Sequence, residues 1–349
     1  MYPLRVFCRR LRLQSPFGIS RGVRAEVENV FIAIAGHWGE AAPVTYHGQT
    51  AELLEDVASS IRVPDSFDQE PGRLIHDIAS QIRGIRPILT AIDMAAHDAW
   101  ATRQGKSLSQ LWEIDERDAP PSSFTIGLDT PERMAEKIKS GTEYPILKIK
   151  LGSPDDLACL TAIRQATDKK IRVDANEGWD RETAAWWMQR LPDWNVDLVE
   201  QPLPRDDREG LRDLVQRNKG RVPIILDESV QTSRDIPQVL GLADGINIKL
   251  AKCGGLVEAR CMMSLARRHG LLVMVGCMLE SSLGISAAAH IAPLADFVDL
   301  DGAALLAEDP FDGVRFEEGQ VRFRDRPGLG VVLRSDAGFE REGSPMPTS

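Results

Sequence analysis

Charged residues end five successive apolar stretches of strand length in the middle of the chain. They are Lys148 and Lys150, Asp174, Glu200, Asp227 and Lys249. From Lys150 onward the steps are 24, 26, 27 and 22 residues, and each step is close to one strand-plus-helix unit. Converging carboxylates repel one another unless a cation lies among them, and an all-oxygen ligand set suits Mg²⁺ better than zinc. The three acids therefore predict a Mg²⁺ site.

The lysines indicate acid–base chemistry beside this cation. Lys148 and Lys150 are two residues apart and share one face of their strand. Lys249 ends a later strand, which we expect on the opposite side of the mouth where the strand ends meet. A neighbouring cation disfavours a charged lysine, so we expect the pKa values of Lys150 and Lys249 to be lowered toward neutrality. A single strand-end acid is more often a helix cap, and a single lysine is usually only solvated. Their appearance on five successive strands favours catalysis.

Parallel strands are needed to bring these residues to one edge. After Pro120 and Pro121 the sequence alternates between short apolar stretches and helix-length segments, which is typical of a closed parallel α/β barrel. The predicted strands are residues 124–128, 146–150, 171–174, 198–200, 224–227, 245–249, 272–276 and 297–300. In such a barrel the C-terminal ends of the strands carry the chemistry, so the charged set is expected at one mouth.

A smaller α+β domain is predicted before the barrel. Residues 4–13 alternate and lead into a turn-rich segment at 15–18, and residues 27–35 are apolar, which indicates a small antiparallel sheet. Residues 51–104 have helical periodicity, and Gly105 is placed to end the last helix. We assign residues 1–115 to this domain and 120–309 to the barrel. Residues 310–349 are expected to pack back on the first domain, with a loose tail over 340–349.

Composition excludes several classes of protein. The 349 residues are 43% hydrophobic and 27% charged, which is typical of a packed globular chain. A formal charge of −10 argues against binding to nucleic acid or to an anionic membrane surface. The five scattered cysteines lack the spacing of a zinc site, and no apolar run is long enough to span a bilayer. We expect a cytoplasmic protein with reduced cysteines.

These motifs resemble the enolase superfamily and, within it, the muconate lactonizing enzyme subgroup. The matching stretches are residues 147–150, 173–176, 199–202, 226–229 and 247–252. The resemblance implies a modified TIM barrel of (β/α)7β type, with an N-terminal α+β capping domain completed by the C-terminal segment and a specificity loop near 15–25. It makes Lys150 and Lys249 the acid–base catalysts and Lys148 an electrostatic neighbour that contacts substrate. It makes the three acids the Mg²⁺ ligands: Asp174, Glu200 and Asp227.

A narrower resemblance lies at the eighth predicted strand. Asp299 and Asp301 resemble the aspartate pair of dipeptide epimerases of the L-Ala-D/L-Glu type, which holds the free α-ammonium of the substrate. The alternative is that the two aspartates only cap the following loop. By the same resemblance Thr125 and Cys277 face the dipeptide backbone. Residues 276–281 contain no histidine, which separates the chain from the mandelate racemase subgroup.

Together the charged strand ends and the resemblance imply a Mg²⁺-dependent dipeptide epimerase that inverts the C-terminal residue through an enediolate, with Ala-Glu as the default substrate only by resemblance. The substrate would be a small dipeptide, such as an acidic dipeptide from murein, and a homo-oligomer is compatible with the sequence. Arg21 is a candidate partner for an acidic substrate side chain, and Arg24 competes for that role. Alternatives are o-succinylbenzoate synthase, with or without N-succinylamino acid racemase activity, muconate cycloisomerisation, and a binding protein without catalysis.

Overall fold

A computed structural model of the chain describes residues 1–82 and 84–339. The first part is an antiparallel sheet of three strands in the order β1-β2-β3, covered by helices. The strands are β1 (Leu4–Ile19), β2 (Gly22–Ile34) and β3 (His37–Ala41). The helices are α1 (Ala51–Ser59), α2 (Pro71–Ala79), α3 (Arg86–Arg103) and α4 (Leu108–Leu111). The Thr50 side chain caps α1, and Gly105 adopts a φ of 64° just after α3, as its position predicted.

Strands β1 and β2 form a hairpin that is longer than the sequence indicated. The turn expected at 15–18 is wrong, because these residues belong to β1 and the chain reverses only after Ile19. The pairing register shifts between Arg12 and Phe17, and this irregularity takes up the residues around Pro16, which has no N–H to donate to a ladder. The hairpin therefore reaches beyond its own sheet, and we call residues 17–24 the hairpin tip.

The barrel has eight strands that follow the chain in order, each parallel to the next. They are β4 (Ser123–Ile126), β5 (Ile146–Lys150), β6 (Lys170–Asp174), β7 (Val196–Glu200), β8 (Ile224–Leu226), β9 (Gly245–Lys249), β10 (Leu272–Gly276) and β11 (Phe297–Asp299). A parallel bridge between Ser122 and Val298 joins the last strand to the first. The predicted α/β barrel is confirmed, and no predicted strand end differs from the observed one by more than two residues.

Helices connect successive barrel strands. They are α5 (Pro131–Lys137), α6 (Asp156–Ala166), α7 (Arg181–Met188), α8 (Arg208–Asn218), α9 (Ile236–Val239), α10 (Leu250–Cys253), α11 (Leu256–Arg268) and α12 (Ser282–Ala289). A single 3₁₀ turn, Gly302–Leu305, follows β11. Inside the barrel, Leu198, Ile225 and Met274 form an apolar cluster. Side chains two positions along a strand share a face, so Glu200 and Asp227 lie one layer above this cluster, toward the mouth.

The end of the described chain packs against the first sheet. It forms β12 (Phe311–Asp312), β13 (Arg315–Glu317), β14 (Gln320–Arg322) and β15 (Val332–Leu333). The Phe339 ring lies 5.2 Å from Phe31 and 5.1 Å from Trp38, between centroids, and Phe311 is also in contact with both. The loose tail predicted for 340–349 lies outside the described residues. Among the residues described, none of the helices combines the length and apolarity needed to cross a bilayer.

Candidate active site

The register of the barrel strands brings the predicted residues side by side. Lys150 is the direct partner of Asp174 across β5 and β6, and Asp174 is the direct partner of Glu200 across β6 and β7. Asp227 follows β8, and Lys249 ends β9. All five are buried at the C-terminal ends of the strands, where barrels of this type place their chemistry.

Lys148 lies at the centre of the acidic residues. Its Nζ is 2.6 Å from Glu200 Oε2, 2.7 Å from Asp299 Oδ2 and 3.1 Å from Asp174 Oδ2. Burial alone would lower the pKa of Lys148, but Asp299, Glu200 and Asp174 outweigh it and hold the pKa well above its usual range. Lys148 is therefore a fixed positive charge that neutralises part of the carboxylate cluster, and it is poorly suited to proton transfer.

The two predicted catalytic lysines come from strands on opposite sides of the barrel. Lys150 is on β5, the second of the eight strands, and Lys249 is on β9, the sixth. Lys150 Nζ lies 2.6 Å from Asp174 Oδ2, while Lys249 Nζ lies 3.1 Å from Asp227 Oδ2 and 3.8 Å from Glu200 Oε1. The two ammonium groups thus approach the central acids from different flanks.

The expected lowering of the lysine pKa does not appear for Lys249. Burial acts in the predicted direction, but Asp227 and Glu200 outweigh it and raise the pKa of Lys249 above its ordinary value. Repulsion by a bound cation would lower this pKa, whereas attraction by the nearby carboxylates raises it. A divalent cation among these carboxylates would oppose their effect on the lysine.

The three acids have the donor chemistry of a Mg²⁺ site. Asp174, Glu200 and Asp227 supply only carboxylate oxygens from three adjacent strands. Among the described residues, Glu200 Oε2 is buried without a hydrogen-bond partner and forms an ion pair with Lys148. Burial and the charge of Asp174 raise the pKa of Glu200. A cation bound beside this carboxylate would oppose that rise. Within residues 1–82 and 84–339, no three acid, histidine or cysteine side chains are gathered as a metal cage. The acid oxygens contact lysines instead.

Two buried residues that support these acids had no assigned role in the sequence. Lys252, on α10, contacts the Asp227 carboxylate and donates to the Asp227 carbonyl oxygen at 2.7 Å. Gln201 Oε1 accepts from the backbone N–H groups of Asp227 and Ser229 at 3.0 and 3.2 Å. Gln201 directly follows the predicted ligand Glu200, and Lys252 lies three residues after the predicted catalyst Lys249, so proximity within the matching stretches could have indicated both. They hold the loop after β8 in place.

The aspartate pair at the end of β11 has two different environments. Asp299 accepts from Ser123 Oγ at 2.6 Å and from Lys148 Nζ at 2.7 Å. Asp301 accepts from the backbone N–H of Thr125 at 2.6 Å and from its hydroxyl at 3.2 Å. Burial and the charge of Asp299 raise the pKa of Asp301 to about 7. Asp301 makes no salt bridge within the described part of the chain, so its carboxyl is available to an incoming cation.

A cleft of about 590 Å³ lies between the barrel mouth and the first domain. Thr125, Lys148, Lys150, Asp227, Lys249, Cys277, Asp299 and Asp301 line it from the barrel side. The hairpin tip and the loop after β3 line it from the other side, and apolar residues such as Ile19, Leu279 and Leu305 complete it. Asp174 and Glu200 lie beneath this lining, in contact with Lys148. The size and the mixture of apolar walls with a few convergent charges suit a small polar ligand.

The two arginines considered for the substrate differ in their partners. Arg21 Nη2 donates to Glu228 Oε1 at 2.7 Å, and Arg21 Nη1 donates to Glu177 Oε2 at 3.0 Å and to the Asn176 carbonyl at 3.1 Å. Arg24 Nη2 donates to Thr45 Oγ1 at 2.7 Å and is exposed. Both arginines line the cleft, but the guanidinium of Arg21 is already bound by protein acids.

Comparison with known proteins places this architecture in a family. Residues 130–337 match the family model described as enolase C-terminal domain-like. An L-Ala-D/L-Glu epimerase of Bacteroides thetaiotaomicron is 36% identical over 313 residues, 88% of this chain and 80% of that protein. A hydrophobic dipeptide epimerase of Roseobacter litoralis is 38% identical over 340 residues, 93% of this chain and 96% of that protein.

A solved structure agrees with these relatives. The dipeptide epimerase of Cytophaga hutchinsonii, complexed with Mg and the dipeptide D-Ala-L-Val, has a TM-score of 0.86 and 27% identity and covers 95% of this chain and 96% of its own. The resemblance predicted from the strand-end motifs is confirmed. The chain belongs to the enolase superfamily, among the members related to dipeptide epimerases.

Proposed function

We propose that the protein is a Mg²⁺-dependent epimerase that inverts the α-carbon of the C-terminal residue of a dipeptide. One observation carries this proposal: two buried lysines, Lys150 and Lys249, flank one cluster of carboxylates from opposite strands of the barrel. Inversion needs a proton to leave from one face of a planar intermediate and another to arrive at the opposite face. Two amines on opposite flanks meet this requirement.

The acids and Lys148 would hold the substrate carboxylate. Asp174, Glu200 and Asp227 would bind Mg²⁺, which when bound supplies positive charge that stabilises the enediolate form of the substrate carboxylate. Lys148, held between Glu200 and Asp299, adds a permanent charge at the same place. The cost of forming the intermediate falls because these charges are in position before the reaction begins.

Lys150 and Lys249 would exchange roles between the two directions of the reaction. In one direction one lysine, as the neutral amine, removes the α-proton while the other, as the ammonium, donates a proton to the opposite face. In the reverse direction the roles are interchanged, as microscopic reversibility requires. Each lysine contacts a different acid, Asp174 or Asp227, which fixes it on its own flank.

Asp301, with Asp299 nearby, would bind the α-ammonium of the N-terminal residue. Its buried carboxyl faces the cleft, and an ammonium ion there would favour its ionised form. Thr125, which donates twice to Asp301, and Cys277 lie beside it and would contact the peptide backbone. An N-succinyl substrate has no ammonium to satisfy this carboxyl, which favours the dipeptide over the o-succinylbenzoate synthase and N-succinylamino acid racemase alternatives.

The proposal is tested by incubating the protein with Mg²⁺ and a pool of L,L-dipeptides in D₂O and measuring mass by spectrometry. Dipeptides that are substrates gain one deuterium at the C-terminal α-carbon, and Ala-Glu is the expected default. An o-succinylbenzoate synthase assay and N-succinylamino acids, run in parallel, separate the alternative. Deuterium uptake by the N-succinylamino acids and by none of the dipeptides would overturn the proposal.

A further inference from the structure

The hairpin tip is bound to the barrel mouth through Arg21. The guanidinium donates to Glu228 Oε1, Glu177 Oε2 and the carbonyl of Asn176, at 2.7, 3.0 and 3.1 Å. Ser20 Oγ donates to the same Asn176 carbonyl at 2.8 Å. These partners lie 155 to 207 residues away in the sequence and belong to the loops after β6 and β8. Ser20 and Arg21, which are adjacent in the hairpin tip, therefore connect the first domain to the loops that follow two barrel strands.

The partners of Arg21 are themselves fixed. The Glu228 side chain is fully buried, with 0% exposed, and also accepts from Asn176 Nδ2 at 3.3 Å. Glu177 accepts from the backbone N–H and the guanidinium of Arg205 at 2.7 to 2.9 Å. The Tyr46 ring lies 5.1 Å from the Arg21 guanidinium carbon and 5.0 Å from that of Arg205. Losing Arg21 would leave the buried charge of Glu228 without its counter-ion.

The residues that Arg21 contacts lie next to two predicted metal ligands, Asp174 and Asp227. Asn176 donates its backbone N–H to Asp174 Oδ1 at 2.9 Å, and Asn176 and Glu177 both have positive φ, 44° and 66°. Consecutive residues with side chains rarely adopt this conformation, so the loop must be held by its surroundings. Glu228 directly follows Asp227. Closure of the hairpin tip and the placement of the acids therefore share one set of contacts.

We propose that Arg21 is a positioning residue: its ion pair with Glu228 holds the hairpin tip over the cleft and supports the loops that carry Asp174 and Asp227. Arg21 then does not bind the substrate side chain, because an acidic substrate would have to displace both Glu228 and Glu177 from it. The part of this inference that concerns catalysis rests on the proposed function, while the part that concerns closure stands alone.

Hydrogen exchange tests the closure directly, without substrate. In the Arg21→Met variant the peptide amides of residues 15–25 should exchange about ten- to a hundredfold faster, as expected when a charge-assisted contact to the barrel is lost. Arg24→Met is the matched control, because Arg24 lies in the same tip and bonds to Thr45, and its exchange should match the wild type. Glu228→Gln should reproduce the effect, and adding Arg21→Met to it should add little. Unchanged exchange in Arg21→Met would overturn the proposal.

Kinetics separates positioning from substrate binding. With Ala-Glu and Ala-Leu as parallel substrates, Arg21→Met should lower kcat/KM for both by the same factor, roughly tenfold or more, and Arg21→Lys should recover part of it for both. A loss confined to Ala-Glu would contradict the positioning role and assign Arg21 to the substrate side chain. If the wild type epimerises neither dipeptide, the proposed function fails, and hydrogen exchange still decides whether Arg21 closes the tip.

Discussion

Lys249 Nζ lies 3.1 Å from Asp227 Oδ2, so a proposed base and a proposed metal ligand are ion-paired. Lys150 and Asp174 repeat this relationship on the other flank, at 2.6 Å. Each lysine is thereby kept near the cluster but on its own side. The arrangement would connect metal binding with catalysis in the proposed reaction, because a cation bound by the acids would weaken their electrostatic attraction for the lysines.

Removing the proposed central ligand should weaken metal binding and lower activity together. We expect Glu200→Gln to lower the affinity for Mg²⁺ at least tenfold in titration calorimetry, because an amide replaces a charged ligand on the middle strand of the three. Chelation of the wild type with EDTA should stop deuterium uptake, and added Mg²⁺ should restore it. Glu209→Gln, on an exposed helix start, is the control. Full Mg²⁺ affinity in Glu200→Gln would remove this residue from the ligand set.

The free ammonium of the substrate should be recognised by Asp301. Asp301→Asn should lower kcat/KM for dipeptides. The loss should correspond to about 1.5–3 kcal/mol of transition-state stabilisation, the typical contribution of a hydrogen bond to a charged group. Because the pKa of Asp301 is raised to about 7, kcat/KM of the wild type should fall as the pH drops below 7 and the carboxyl becomes neutral. Asp301→Asn should lose that part of the pH profile. An unchanged profile in the variant would contradict this assignment.

A second buried acid should make the stability of the fold depend on pH. Glu40 on β3 accepts from Asn29 and from the N–H and hydroxyl of Ser281 at the start of α12, and burial together with Glu280 raises its pKa to about 8. The folded chain therefore binds more protons than the unfolded chain between pH 4.5 and 8. The contribution of Glu40 to the free energy of unfolding is therefore fully present below pH 4.5 and is lost as the pH rises to about 8.

Glu40→Gln tests this dependence. The free energy of unfolding of the wild type should fall with rising pH by up to about 1.4 kcal/mol for each pH unit from this residue, and the variant should have a flatter curve. Denaturant unfolding at a series of pH values measures it. Glu26→Gln, whose side chain is exposed on β2, should keep the wild-type slope. Equal slopes in Glu40→Gln and the wild type would assign the dependence to other groups.

The barrel and its charged mouth could be predicted because the relevant information is local. The strands Ile146–Lys150 and Gly245–Lys249 have the predicted bounds, since each is an apolar run that ends at a charge. Parallel topology then gathers the ends without any knowledge of side-chain contacts. The positions of Lys150, Asp174 and Lys249 follow from this rule alone.

The contacts between the two parts of the chain could not be predicted in the same way. Arg21 and Glu228 are separated by 207 residues, and Glu40 and Ser281 by 241, so no local pattern relates them. The segment around Pro16 has the composition of a turn but is kept extended by the pairing of Phe17 with Arg24. Tertiary contacts override local preference at these positions.

The two-base arrangement is tested most directly by following α-proton exchange and inversion separately in Lys150→Ala and Lys249→Ala. In D₂O with Mg²⁺, each variant should lose inversion in both directions by at least about 10²- to 10⁴-fold, the usual contribution of a general base or acid. Each should still exchange the α-proton of one epimer, and the two variants should act on opposite epimers. Lys169→Ala, outside the cleft, should behave as the wild type. Substantial inversion by either variant, or exchange of the same epimer by both, would contradict lysines acting on opposite faces.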